Sequence, residues 1–187
     1  VLVAVNGSSQ IPDLEKQLNE IYGKAGATFK VTTKALTLDQ NDWDDNGNKI
    51  LDYDGSGLMS DYPQELKNIQ QKYKDDNKDW NRSAYHLFLL PSDIPLGKAL
   101  SGFMPKTRQW GYVFGAHTAD ALEDKSSQSL VAAHELGHGV FALPHPFQND
   151  ENKSGSGTDW LMDYGGGDQL SYTNWAAMSD ESLQLFL

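Results

Sequence analysis

The chain has no cysteine. Disulfides are therefore excluded, and any transition-metal site must be built from histidine and carboxylate rather than thiolate. No run of about 18 apolar residues occurs, so no segment reads as a membrane-spanning helix. Basic residues are scarce: 15 Lys plus Arg face 26 Asp plus Glu, a net charge of −11. Nucleic acid and anionic membrane both call for a cationic face, so this balance argues against either partner and suits solubility and cation binding. The opening VLVAVNG lacks both an initiator methionine and the basic, apolar and small regions of a signal peptide. A mature form or excised domain is expected, whose upstream segment could hold a signal, a pro-segment or other domains. Histidine is scarce too, at five residues, yet three fall within twelve positions of AAHELGHGVFALPHPF, residues 132–147.

What is present suffices for one domain with a real core: 187 residues, 39% of them hydrophobic and 11% aromatic. VLVAVNG reads as a short strand ending in a turn. Residues 11–26 carry apolar side chains at 11, 14, 18 and 21, a helical spacing that Gly23 or Gly26 can end. ATFKVTTKAL, 27–36, is rich in β-branched residues and reads as a strand. This β-α-β opening predicts a mixed sheet with a crossover helix. A helix is expected over 61–74, with Ser60 as cap and Pro63 in its first turn. YHLFLL, 85–90, and WGYVFGAH, 110–117, read as strands, with a loop between them. SSQSLVAAHELGHGVFAL, 126–143, is a helix capped by Ser126 or Ser127, and a terminal helix begins near Asn174. The chain is thus expected to be α+β, a mixed N-terminal sheet packed on helices.

On a helix, His134 and His138 stand four residues apart and project from one face. Two imidazoles so placed can grip one zinc ion, while Glu135 between them reaches the metal's water without ligating it. Gly137 and Gly139 each cost about 1 kcal/mol relative to Ala in a helix, which suits a place where another group approaches closely. Catalytic zinc takes a third protein ligand and keeps a fourth position open. His145 is the candidate. A straight helix would carry it about 10 Å from His138, but Pro144 disfavours helical geometry at Leu143, so the helix should stop there and bend back. An acid from 150–163 is the alternative third ligand.

HELGHGVFALPH followed by WLMDYGG resembles the signature of the metzincin clan of zinc metallopeptidases, H-E-x-x-H-x-x-G-x-x-H with a later methionine-containing turn. The resemblance covers about 134–164. It implies a metzincin-like fold: the N-terminal sheet lobe, 1–138, the active-site helix at the cleft, and a small, mostly irregular or helical C-terminal lobe, 139–187, in a single catalytic domain. It implies zinc held by His134, His138 and His145, with Glu135 as general base. Met162 would be the turn methionine beneath the metal. Tyr164 would be a weak further ligand and a donor to the oxyanion. The third histidine comes one residue late, and Phe141 occupies the position of the signature glycine. The resemblance further implies a secreted monomeric endopeptidase acting on a protein or peptide. Substrate would pair with an edge strand before the active helix, for which WGYVFGAH or the adjoining FMPKTRQ is the candidate.

GTDWLMDYG, 157–165, also resembles loosely the aspartate-type zinc peptidases, in which Asp159 or Asp163 would replace His145. Glu151 is a further alternative. A non-catalytic binding domain with a closed structural metal is the reading from another class. Asp42, Asp44, Asn46 and Gly47, with Asp52 and Asp54 nearby, match the first half of an EF-hand calcium loop. Tyr53 stands where that loop needs a bidentate Glu, and a hydrated acidic loop explains the same residues. His86, in an apolar strand, is expected to be a core residue. His117, at a strand end, is a candidate for lining the cleft. The five tryptophans are expected to anchor packing, with Trp160 close to the proposed turn.

Overall fold

The structure, a computed structural model, describes residues 1–8, 11–52, 62–97, 100–115, 127–146 and 157–179. Ser60, His117, Ser126 and Glu151, named above as candidates, lie outside them, as do Tyr53 and Asp54 of the acidic loop.

Five strands form one sheet in the order β2-β1-β3-β5-β4. Strands β1 (Leu2–Val5), β2 (Thr33–Leu36), β3 (His86–Leu90) and β5 (Trp110–Phe114) run parallel, and β4 (Gly102–Phe103) closes one edge antiparallel to β5. Among the described residues the α-helices are α1 (Leu14–Tyr22), α2 (Gln40–Trp43), α3 (Gln64–Asp76), α4 (Gln128–Phe141) and α5 (Tyr172–Met178), with a 3-10 turn at Gly23–Ala25. The architecture is mixed α/β. No helix among the described residues is long and apolar enough to cross a membrane.

Alternation along the strands separates two cores. Leu2, Leu87, Leu89 and Val113 face α1, α4 and Met162. Val3, Val5, Phe88, Leu90, Trp110, Tyr112 and Phe114 face Trp43 and the α3 residues Leu66, Ile69 and Tyr73. Every residue of β3 and β5 is buried, as a parallel sheet covered on both faces requires. His86 is among them, a core residue as expected, stacked on Trp110 with ring centroids 4.5 Å apart.

The differences from the sequence reading are local. The expected strand over 27–36 shrinks to its last four residues because α1 claims the backbone before it. Asn19 Nδ2 donates to the Phe29 carbonyl at 3.0 Å, its Oδ1 accepts the Phe29 N–H at 2.7 Å, and Glu15 accepts the Val31 N–H at 2.7 Å. The expected loop between the two long strands contains β4, too short to show a pattern. That strand corrects the edge assignment in part: Trp110–Phe114 of WGYVFGAH lies inside the sheet, and the edge begins at Gly102 and enters FMPKTRQ at Phe103. Tryptophan packing is uneven, with Trp43 and Trp110 buried and Trp175 exposed on α5.

Candidate metal centre

Helix α4 begins where Ser127 Oγ accepts the Leu130 N–H. It crosses the sheet between α1 and β4, so its buried face is sandwiched. The glycines mark the points of contact. A β-carbon on Gly137 would lie 2.7 Å from Met162 Sδ and 2.9 Å from the Tyr22 hydroxyl, and one on Gly139 would collide with Met104. Tyr22, fully buried, donates its hydroxyl to the Ala133 carbonyl at 2.6 Å. Glycine is tolerated here despite its helical cost because the neighbouring groups occupy the missing methyl's place.

The helix ends at Phe141, two residues before the expected stop. Ala142 takes the left-handed conformation, φ 55°, and its N–H bonds the His138 carbonyl at 3.1 Å while the Leu143 N–H bonds that of Gly137 at 3.0 Å. The first of these bonds is the left-handed cap with which helices commonly end, usually on glycine. Pro144 follows the break rather than making it. The Leu143 carbonyl then points back and accepts from His138 Nδ1 at 2.6 Å, and His145 returns beside the helix.

The three expected imidazoles converge. Nε2 of His138 lies 3.2 Å from that of His134 and 3.0 Å from that of His145, and His134 and His145 are 3.1 Å apart. Nδ1 of His134 bonds the Leu161 carbonyl at 2.7 Å. A carbonyl only accepts, so Nδ1 of both His134 and His138 must carry the proton, and their Nε2 atoms are lone-pair acceptors. Two such lone pairs facing each other at 3.2 Å cannot hydrogen-bond. A shared cation reconciles them, and backbone carbonyls behind metal-bound imidazoles are the usual support. Tetrahedral zinc with arms of ~2.0–2.1 Å separates its nitrogens by ~3.3 Å, close to the observed triangle. These three histidines lie close enough to bind a metal ion, and no other group of three or more candidate ligands converges among the described residues.

Burial favours neutral imidazole at all three positions: it pushes His138 down to about 3 and His145 to about 4, and lowers His134 as well. The ligands are therefore in their metal-binding form at neutral pH. Glu135 is buried on the β4 side of the helix. A β-carbon on Gly102 would sit 2.7 Å from its Cγ and Oε1. Burial raises its carboxyl to about 8, against the opposing Met104 backbone N–H that bonds it.

Met162 is fully buried under α4, in a turn closed by Asp163 N–H to the Trp160 carbonyl at 3.1 Å. The same turn supplies the carbonyl that orients His134. Tyr164 is 57% exposed, and its hydroxyl sits 3.3 Å from His145 Nδ1, on the ring's outer nitrogen. Asp163 is spent on the turn, accepting from the Thr158 hydroxyl at 2.7 Å and the Tyr164 N–H at 2.9 Å. Asp159 is likewise outside the converging set. Of the candidate third donors among the described residues, His145 is the one that converges with His134 and His138.

The acidic loop binds its own backbone. Asp44 accepts from the N–H groups of Gly47 at 2.7 Å and Lys49 at 3.0 Å, Asp42 accepts from that of Asp39 at 2.8 Å, and Asn46 donates to Asp52 at 2.8 Å. Buried Glu65 clamps the loop through the Asp52 N–H at 2.6 Å. Tyr22 and Gly102 were not singled out by the sequence, and Met104 with the turn at 105–108 entered only as part of the candidate edge FMPKTRQ. Only their spatial neighbours give them meaning. Among known proteins, no family model matches the chain and no curated protein matches it.

Proposed function

We infer that this protein is a zinc-dependent endopeptidase of metzincin-like type. The carrying observation is the triangle of three Nε2 atoms, two of them fixed as lone-pair acceptors, with a buried acidic side chain, Glu135, on the same helix. A structural zinc uses four protein donors, whereas among the described residues three converge, the number that leaves a position for water or substrate. Three imidazoles and no thiolate suit zinc. The late third histidine also has a physical account that favours the resemblance. In the family signature the turn glycine precedes the third histidine by three residues. Left-handed Ala142 precedes His145 by the same three, and the extra residue is absorbed by a helix one position longer.

Zinc bound there supplies a Lewis acid and a nucleophile ionised at neutral pH. The chain's residues do the rest. Glu135, ionised against its burial by the positive field of the cation that the three imidazoles would hold, accepts the attacking water's proton on a carboxylate oxygen and returns it to the leaving amine. The Tyr164 hydroxyl rotates away from His145 Nδ1 to donate to the developing oxyanion. Peptide substrate lies extended along the outer edge of β4, beneath which Glu135 is held, and adds a strand to the sheet. A secreted protein acting on other proteins fits this chemistry and the family resemblance.

The test is metal analysis of the purified protein with cleavage of an unfolded protein, comparing parent with Glu135→Gln. One zinc per chain in both is expected, with turnover in the variant reduced about 10²–10⁴-fold, the usual worth of a positioned base. Equal turnover would remove Glu135 from its role, and absence of zinc from both would remove the reading. A non-catalytic domain with a structural metal would instead unfold as zinc is withdrawn, with no activity to lose.

A further inference from the structure

Helix α4 and the edge strand β4 interlock at Glu135. Gly102 pairs with Val113, which faces α4, so position 102 faces α4 as well. Met104, two residues on, shares that face, while Phe103 packs on the other side of the sheet. Opposite them α4 presents Glu135 and Gly139. Four residues of helix advance about 6 Å, and two of strand about 6.6 Å, so the two pairs match in spacing. Large meets small both times. Glu135 fills the space over Gly102, where a β-carbon would lie 2.7 Å from its Cγ and Oε1. Met104 fills the space over Gly139, where a β-carbon would collide with its methyl group and sulfur. Beyond the strand, the Thr107 N–H donates to the His138 carbonyl at 3.2 Å. Two seats and one hydrogen bond thus fix the height of the strand on the helix.

The main chain of Gly102 faces outward. The Phe114 N–H bonds the Ser101 carbonyl at 2.9 Å. Hydrogen-bonded and non-bonded positions alternate along an antiparallel pair, so the N–H and C=O of Gly102 point away from β5, on the outer side of the end strand. Those are the groups that an added peptide strand would take up. At this one residue the missing side chain admits the carboxyl and the backbone offers the edge.

We propose that Gly102 is a positioning residue for Glu135: lacking a side chain, it lets the carboxyl lie against the outer edge of β4 at the point where a peptide strand would pair. The Met104 N–H, which bonds the carboxyl, holds it there. A larger residue at 102 displaces the carboxyl and leaves His134 and His138 in place, because those rings are oriented by the carbonyls of Leu161 and Leu143. The inference rests on the peptidase reading for what Glu135 does, whereas its placement by Gly102 does not require turnover.

The test compares zinc-loaded parent, Glu135→Ala, Gly102→Ala, and Gly102→Ala combined with Val131→Ala. The combination is needed because a β-carbon at 102 would also lie 2.8 Å from Val131 Cγ1, an overlap independent of Glu135. It also carries the same readouts should Gly102→Ala alone fail to fold. The first readout needs no activity: the Met104 amide proton in a proton–nitrogen correlation spectrum, which a bond to a carboxylate moves downfield. Glu135→Ala should move it upfield, and Gly102→Ala should do the same although the glutamate is still present. The second readout is cleavage of an unfolded protein. Gly102→Ala should lower kcat about 10²-fold, the cost of a misplacement of about 1 Å, with KM and zinc affinity unchanged, and Val131→Ala should not restore it. An amide indifferent to Glu135→Ala, or a Gly102→Ala protein with the parent's amide position or kcat, overturns the proposal. So does full recovery with Val131→Ala, or a zinc affinity that falls in step with kcat. The expected amide shifts in a parent that cleaves nothing sink the peptidase reading alone.

Discussion

The sulfur of Met162 occupies the place where a side chain on Gly137 would be: a β-carbon built there would lie 2.7 Å from it. Through that contact the turn at 160–164 and helix α4 are brought together, and the Leu161 carbonyl reaches His134. Gly137→Ala should gain about 1 kcal/mol of helix propensity and lose more by pushing the helix off Met162 and Tyr22, since overpacking a close contact costs about 1–3 kcal/mol. The expected outcome is a lower melting temperature together with weaker zinc binding, read by thermal denaturation and a chelator-competition titration. A variant as stable as the parent would mean that the contact is slack.

Ala142→Gly tests the helix end in the opposite direction. The left-handed conformation costs an L-residue about 1–2 kcal/mol, which glycine avoids at some expense in unfolded-state entropy. A net stabilisation of about 1 kcal/mol is expected, seen as a higher denaturant midpoint with unchanged slope. A destabilised variant would contradict the φ of 55° at this residue.

Zinc should raise the melting temperature of the metal-free protein, because a ligand that binds only the folded state stabilises it, by about 2.7 kcal/mol at one hundred times its dissociation constant. His138→Ala should abolish the rise. His145→Ala should weaken it strongly, and Asp159→Asn should not. A full response retained without His145 would return the third position to an acid.

His86 gives the fold a pH dependence of its own. Burial, reinforced by the nearby N-terminal ammonium and only partly opposed by the Ala84 backbone, pushes its pKa down to about 4 from 6.5. Between those values the unfolded chain binds a proton that the folded one refuses, so stability is complete above pH 6.5 and falls as pH drops toward 4. This one site contributes a slope of at most ~1.4 kcal/mol per pH unit. His86→Phe, placed on the face of Trp110, should remove that component. Unfolding measured at pH 7.0 and 5.0 checks it, and an identical pH difference in parent and variant would contradict it.

Much of the centre was legible because it is local. Two histidines four apart on a helix share a face whatever the rest of the chain does, so His134, His138 and the neighbouring position of Glu135 follow from helical geometry. The buried strands 86–90 and 110–114 announced themselves by continuous apolar composition. The exact helix end was not legible: Pro144 marked a break nearby, but the residue that turns the chain is Ala142, which has no intrinsic preference for the left-handed region. Strand β4 was missed because two residues carry no periodicity.

By itself the sequence determined which donors exist. Without cysteine, and with three of five histidines in twelve positions, no other set of imidazoles could gather so cheaply. Tertiary structure decided that they do gather, and what surrounds them. Carbonyls of Leu161 and Leu143 set the tautomers of His134 and His138, the Ala142 turn brings back His145, and the residue after the edge strand supplies the Met104 N–H to Glu135. Those partners are up to 31 positions away along the chain from the side chains they orient, and only packing can bring such groups within hydrogen-bond reach.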